Sequence, residues 1–169
     1  ARVAGVEVFN ASGYASPGPP EMSRENYEFY LRAGPTALVN QVLLRSVPQP
    51  RILLMGDATP LYFADAGERI VYATTWDASP LIRALDACEA QERIDAECVI
   101  ERLRAEGFTH VLINAAELDR LRDSGYSDPR VTPELGLMIA RRSRSVMPWP
   151  DRGQILVELV APDVDSPPR

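Results

Sequence analysis

Polar and aromatic side chains suited to binding a ligand follow two short apolar segments of the chain, residues 51–57 (RILLMGD) and 109–114 (THVLIN). These candidate site residues are Asp57, Thr59, Tyr62, Asn114, Glu117 and Arg120. Their carboxylate, amide, hydroxyl and guanidinium groups offer both the donors and the acceptors of hydrogen bonds that a polar ligand needs. The set predicts a binding site and names no catalytic residue.

The turn that ends the first segment does not fit three classes of enzyme. A dinucleotide-binding loop needs three glycines so that its backbone can approach a pyrophosphate, and only Gly56 is present. An esterase of the Gly-Asp-Ser type would carry its serine nucleophile at Ala58. A receiver domain requires a lysine, and all 18 residues counted as Lys or Arg are arginine. The lack of lysine also excludes Schiff-base and phosphate-loop lysine chemistry.

Structural roles compete with ligand binding at the same positions. Asp57 is suited to a turn in which its side chain accepts backbone hydrogen bonds. Glu117 and Arg120 are three residues apart on a predicted helix, and this spacing is typical of a surface ion pair. His110 is the only histidine and lies within an apolar segment, which favours a structural role over that of a catalytic base or metal ligand.

Charge and cysteine content narrow the partners of the protein. The formal charge of −6 argues against nucleic acid, because binding it requires a basic face. Arg141, Arg142 and Arg144 form the strongest local positive charge, which suits either a helix C-terminus or contact with anionic lipid headgroups. Cys88 and Cys98 lack the spacing of a metal site, so no metal or cofactor is expected. Two free thiols are favoured, since a disulfide would require the helix to break between them.

The two apolar segments also predict the fold class. Short, continuous apolar runs are typical of strands buried on both faces in a parallel sheet that helices cover. We therefore predict an α/β fold, namely a three-layer Rossmann-like sandwich with parallel central strands in the order 2-1-3 and an antiparallel C-terminal edge hairpin. Ligands of such sheets bind beyond the carboxyl ends of the strands, where the candidate residues lie.

Helix-start signals locate the other elements of one domain. Ser23, Ser79 and Thr132 are predicted N-caps, and proline follows the last two at the first helical position. Helices are predicted over residues 24–32, 35–45, 80–90, 95–106, 116–123 and 133–142, with further strands over 69–74, 145–147 and 154–160. The predicted domain spans residues 23–160, preceded by a lead-in or linker over 1–22 and followed by a flexible tail over 161–169. Trp76 and Trp149 fit either the core or an interface.

Five stretches of the chain carry a family resemblance. They are residues 23–31, 47–62, 79–81, 103–121 and 131–133 with the helix that follows. The sharpest is GFTHVLINAAELDRL, residues 107–121. In this order they resemble the soluble C-terminal region of some bacterial polytopic membrane glycosyltransferases, of the dolichyl-phosphate-mannose-protein mannosyltransferase-like and aminoarabinose-transferase-like types.

The resemblance implies an extracytoplasmic domain that is tethered to the membrane-embedded part of the same polypeptide. That membrane part is the expected partner, together with a lipid-linked sugar or an acceptor. The family's glycosyl transfer resides in the membrane part and the first extracytoplasmic loop, so the resemblance assigns no catalytic residue here. The implied function is that of a non-catalytic accessory domain that binds sugar, lipid headgroup or acceptor.

Two other functions stay open at this stage. A free-standing small-ligand-binding protein or hydrolase-like enzyme would use the cleft beyond strands 1 and 3, with Asp57, Thr59, Asn114 and Glu117 at its wall. A protein-interaction module would instead use a sheet edge or an exposed tryptophan as its contact surface.

Overall fold

The computed structural model describes residues 23–46, 48–57, 60–64, 69–72, 78–93, 95–125 and 127–160. The predicted lead-in 1–22 and tail 161–169, together with Thr59 and Trp76, lie outside the described residues. The described part has an α/β fold with six α-helices and a five-stranded mixed sheet. None of its helices is both long enough and apolar enough to cross a bilayer.

The helices and strands are numbered here in chain order. The helices are α1 Arg24–Ala33, α2 Pro35–Gln41, α3 Pro80–Glu89, α4 Ala96–Ala105, α5 Ala115–Ser124 and α6 Pro133–Arg142. The strands are β1 Ile52–Met55, β2 Ile70–Tyr72, β3 His110–Asn114, β4 Arg144–Trp149 and β5 Gln154–Glu158. The helix predicted over 35–45 is shorter than expected, because α2 ends at Gln41 and a separate 3₁₀ turn, Leu43–Arg45, follows Val42.

Polar side chains begin three helices where the sequence predicts. The side-chain oxygens of Ser23, Ser79 and Thr132 each accept a hydrogen bond from the backbone N–H three residues later, at 3.3, 3.2 and 3.2 Å. Each bond satisfies one of the N–H groups that have no partner inside the helix. The predicted N-caps are therefore confirmed.

The sheet has the strand order β2-β1-β3-β5-β4. β1 pairs in parallel with β2 and β3, while β5 runs antiparallel to both β3 and β4. The predicted central order 2-1-3 and the antiparallel C-terminal hairpin are confirmed. We call the end of the sheet at Met55 and Asn114 its carboxyl end, and the end at Ile52 and His110 its amino end.

Each face of the sheet is covered by helices, which gives three layers. On one face, Leu53, Val111 and Val157 pack in a core with α3, α4, α5 and α6. On the other face, inward side chains such as Leu112 pack with α2 and with the partly buried tyrosines of α1. Trp149 belongs to this second core, where only 1% of it is exposed and its indole N–H donates to the Tyr30 carbonyl oxygen at 2.9 Å.

Cys88 and Cys98 form a disulfide, so the prediction of two free thiols is wrong. The helical region breaks between Glu89, where α3 ends, and Ala96, where α4 begins. The two helices pack against each other and bring the two Cα atoms to 6.0 Å. The ten-residue separation, which a continuous helix could not bridge, becomes compatible with a covalent bond after this turn.

Candidate functional site

The carboxyl ends of β1 and β3 are packed tightly together by the start of α5. Gly56 follows β1, and a Cβ atom at this position would lie 2.7 Å from the Asn114 carbonyl oxygen and 2.7 Å from Cγ of Leu118. Gly56 also has a φ of +78°, which side chains rarely tolerate. Leu118 is buried, so an apolar side chain fills the space beside Gly56, and the partly buried Asp57 follows directly.

Backbone donors at the start of α5 are used within the domain. The Ala115 N–H donates to the Gly153 carbonyl oxygen at 2.8 Å, and the Glu117 N–H donates to Oδ1 of Asn114 at 3.1 Å. Helix N-termini at this place in open α/β sheets bind anionic ligands through such N–H groups. Asn114 is thus the N-cap of α5, and its side-chain oxygen serves the helix.

Glu117 and Arg120 form the ion pair that their spacing predicts. Nε and Nη2 of Arg120 donate to the two carboxylate oxygens of Glu117 at 2.8 and 2.6 Å. These hydrogen bonds lower the pKa of the Glu117 carboxyl below its ordinary value. A carboxylate with a lowered pKa is a weak base at neutral pH, which makes Glu117 poorly suited to proton transfer.

Tyr62 is held by a different element from the other candidate residues. Asn40 of α2 donates to the Tyr62 carbonyl oxygen at 2.9 Å and accepts from the Ala64 N–H at 2.9 Å. The Tyr62 residue is 70% exposed. In the described part of the chain, no hydrogen bond or ion pair joins Tyr62 to Asn114, Glu117 or Arg120. The structure therefore groups the last three residues on α5 and leaves Tyr62 apart from them.

His110 lies at the amino end of the sheet, away from the candidate site. Its Nδ1 shares a hydrogen bond of 2.8 Å with the Thr109 hydroxyl. Burial lowers the pKa of the imidazole, and the neighbouring Glu158 on β5 opposes part of that shift. Among the residues that the structure describes, no group of His, Cys, Asp or Glu could hold a metal ion. These contacts support the structural role that the sequence favours for His110.

Arg130 is the centre of an ion-pair cluster that the sequence did not indicate. Its guanidinium donates to Asp86 at 2.8 Å and to Glu89 at 2.8 Å, both on α3, and to Asp128 at 2.7 Å. The Asp128 and Asp86 carboxylates raise the pKa of Arg130, and the side-chain hydrogen bonds from Arg130 lower the pKa of Asp128. The two α3 partners are more than forty residues away in the chain, which is why local spacing gives no signal for them.

Leu118 and Gly153 are two further residues of this region that sequence reasoning missed. Leu118 looks like any apolar position of an amphipathic helix, and its contact with Gly56 depends on the β1–β3 pairing. Gly153 has a φ of +63° in the turn before β5, and its glycine identity was the only available signal.

Comparisons with known proteins find no counterpart for this arrangement. No protein-family model matches the chain, and neither a curated protein nor a solved structure matches it. The site is accordingly interpreted from the chemistry and the geometry of its own residues.

Proposed function

We propose that the chain is an extracytoplasmic accessory domain of a membrane glycosyltransferase-like protein, without a catalytic centre of its own. The observation that carries the proposal is the closure of the carboxyl end of the sheet by α5. The resemblance of residues 107–121 to the C-terminal regions of such enzymes supports it, because β3 and α5 lie within this stretch.

The closure argument concerns the place where α/β sheets of this order bind ligands. That place is the crevice between the carboxyl ends of adjacent central strands whose connections leave in opposite directions, here β1 and β3. In this chain, Leu118 and the Asn114 carbonyl group pack against Gly56 at that point. The Glu117 carboxylate is bound to Arg120 and the Asn114 amide oxygen to the helix. Of the candidate groups, the Asn114 amide oxygen, the Glu117 carboxylate and the Arg120 guanidinium are therefore committed to contacts within the domain.

The disulfide supports the extracytoplasmic part of the proposal. Cys88 and Cys98 are both buried, and their bond joins α3 and α4 within the core that also contains Leu53. Structural disulfides persist in oxidising compartments and are rare in the cytosol, where thiol systems keep cysteines reduced. A domain on the outer side of the membrane would keep this bond.

Labelling of an introduced cysteine tests the location. Ser124 is exposed at the end of α5, so Ser124→Cys in the full-length protein adds an accessible thiol to this domain. We expect a membrane-impermeant maleimide to label this variant in intact cells. The unsubstituted protein is the control: the two cysteines of this chain are bonded to each other, so labelling above its level reports on position 124. Labelling only after lysis would contradict the proposed location.

Substitution at the carboxyl end tests the absence of a catalytic centre. We expect Glu117→Gln and Asp57→Asn in the full-length protein to keep kcat for sugar transfer from a lipid-linked donor within about twofold. A loss of a general acid or base lowers the rate about 10²- to 10⁴-fold. A fall of that size in a variant that melts like the parent protein would place catalysis in this domain.

A further inference from the structure

Two neighbouring helices bring arginines to the amino end of the sheet, opposite the candidate site. α4 leads directly into β3, which begins at His110, and α6 leads directly into β4, which begins at Arg144. These two first residues lie at the same level of the sheet, one on each side of Glu158 of β5, which pairs with both. α4 and α6 also pack against each other. Their C-terminal turns therefore lie at the same end of the domain.

We call this surface the arginine end and define it by six residues. They are Arg45, Arg83, Arg102, Arg104, Arg141 and Arg142. Arg45 lies in the 3₁₀ turn Leu43–Arg45, and the Leu44 carbonyl oxygen of that turn accepts a hydrogen bond from Arg69, just before β2. Arg83 binds Glu106, which lies just after α4.

Most of these arginines have no partner in the described part of the chain. Arg104, Arg141 and Arg142 are exposed, and none of their guanidinium groups makes an ion pair or a hydrogen bond there. The neighbouring carboxylates are already engaged, since Glu106 binds Arg83 at 2.6 Å and Glu158 binds Arg144. The positive charge of this end is consequently not neutralised within the described residues.

Helix polarity explains how the fold tolerates this concentration of charge. The C-terminus of an α-helix carries a partial negative charge that stabilises cations in its last turn by about 0.3–1 kcal/mol. That stabilisation needs no carboxylate partner and leaves the donor groups of Arg104, Arg141 and Arg142 directed to solvent. Met138, one turn earlier on α6, is 45% exposed and adds an apolar contact beside them.

We propose that the arginine end docks the domain onto an anionic bilayer surface by binding lipid phosphate groups. This inference rests on the proposed function, in which a tether keeps the domain within reach of a membrane. Charge geometry favours a flat surface over nucleic acid. The five residues of β3 separate the two ends of the sheet by about 16 Å, which exceeds a Debye length of about 8 Å at physiological salt. A bilayer touches one end only, whereas a long polyanion would also approach the acidic groups elsewhere.

Vesicle binding by the whole 169-residue chain tests the proposal. We expect the chain to co-sediment with vesicles of equal parts phosphatidylglycerol and phosphatidylcholine, not with phosphatidylcholine alone, and to dissociate as salt rises. The triple variant R104Q/R141Q/R142Q should lower the partition coefficient about 100-fold, since one basic residue near an anionic surface contributes about fivefold.

A matched triple variant at the carboxyl end is the control. R32Q/R93Q/R122Q removes the same charge, and we expect it to bind the vesicles within about twofold of the unsubstituted chain. Thermal melting of both variants verifies that they fold. Equal losses in the two triples would overturn the proposal, as would the absence of binding at low salt or tighter binding to a DNA duplex than to the vesicles.

The outcomes also separate this inference from the proposed function. If vesicle binding fails while the Ser124→Cys variant is labelled in intact cells, the docking surface is wrong and the extracytoplasmic role stands. If labelling requires lysis, the proposed function fails whatever the vesicle result is.

Discussion

At the carboxyl end of the sheet, Arg130 binds three carboxylates and Arg122 binds Asp119 and Glu134. At the amino end, Arg104, Arg141 and Arg142 bind none among the residues that the structure describes. The first end uses its charges to hold helices and loops together. The second presents charges to solvent, although both belong to one small sheet.

Helix direction accounts for this difference. α4 and α6 run against the direction of the parallel strands, so their N-termini lie at the carboxyl end and their C-termini at the amino end. Acidic residues stabilise the first turn of a helix and arginines the last, as Glu97 and Glu134 do at one end and Arg104 and Arg142 at the other. Because the neighbouring helices α4 and α6 both follow this preference, acidic residues collect at one end of this side of the domain and arginines at the other. The interaction surface is then expected where charges are unpaired rather than where Rossmann-like sheets bind ligands.

Removal of the disulfide should have the largest effect on the carboxyl end. The bond joins the end of α3 to the start of α4 and closes a loop of ten residues along the chain. We expect Cys88→Ala with Cys98→Ala to lower the free energy of unfolding by about 3 kcal/mol, measured by urea denaturation. The reduced parent protein serves as the control and should show a similar loss. A double variant as stable as the oxidised parent would show that this end does not depend on the bond.

Gly56→Ala tests the closure between β1 and α5. The added Cβ would clash with the Asn114 carbonyl oxygen and Leu118, and the positive φ adds strain, so we expect a loss of about 2 kcal/mol. Gly125→Ala is the matched control, because Gly125 has a φ of +69° but no described atom within 4 Å of a Cβ. It should lose about 1 kcal/mol. Equal losses in thermal melts would mean that the crevice has room for a side chain.

Arg130→Gln tests the charge cluster at the carboxyl end. The arginine side chain is 27% exposed and contacts Asp86, Glu89 and Asp128, so its loss leaves these carboxylates without a shared cation. We expect unfolding to become easier by about 1 kcal/mol, with a smaller difference at high salt. Arg24→Gln, at a side chain that is 93% exposed, should leave the melting temperature unchanged. If both variants lose the same stability, the ion pairs of Arg130 do not stabilise the carboxyl end more than an exposed surface pair would.

The smallest effect concerns pH at the amino end. Burial lowers the pKa of His110 in the folded chain below its ordinary value of 6.5. The unfolded chain therefore binds the proton first, and stability is lost as the pH falls from about 6.5 towards the lowered pKa. His110→Gln should flatten this part of the stability curve in urea titrations at several pH values. An unchanged slope would show that His110 does not cause the acid sensitivity, since the chain has no other histidine.

Much of the fold could be predicted because its signals are local. A hydroxyl N-cap followed by proline marks a helix start by satisfying an N–H group, as at Ser79, and a short apolar run such as residues 109–114 marks a doubly buried strand. The Glu117–Arg120 pair is equally local, since one helical turn joins the two residues. The disulfide was missed although the predicted helices already break between residues 90 and 95, because neither that break nor the cysteine spacing shows that the two helices pack against each other.

Local patterns in the chain were sufficient to predict the helices and strands and the strand order 2-1-3. They also determine that individual helices carry acidic residues in the first turn and arginines in the last. The closure at Gly56, the partners of Arg130 and the gathering of unpaired arginines at one end depended on the tertiary fold. These features join segments that are far apart in sequence, and their energies arise from contacts that exist only once the strands have paired. For that reason, the sequence could name ligand-binding candidates after β1 and β3, while the packing at Gly56 and the charged surface at the other end became visible only in the folded domain.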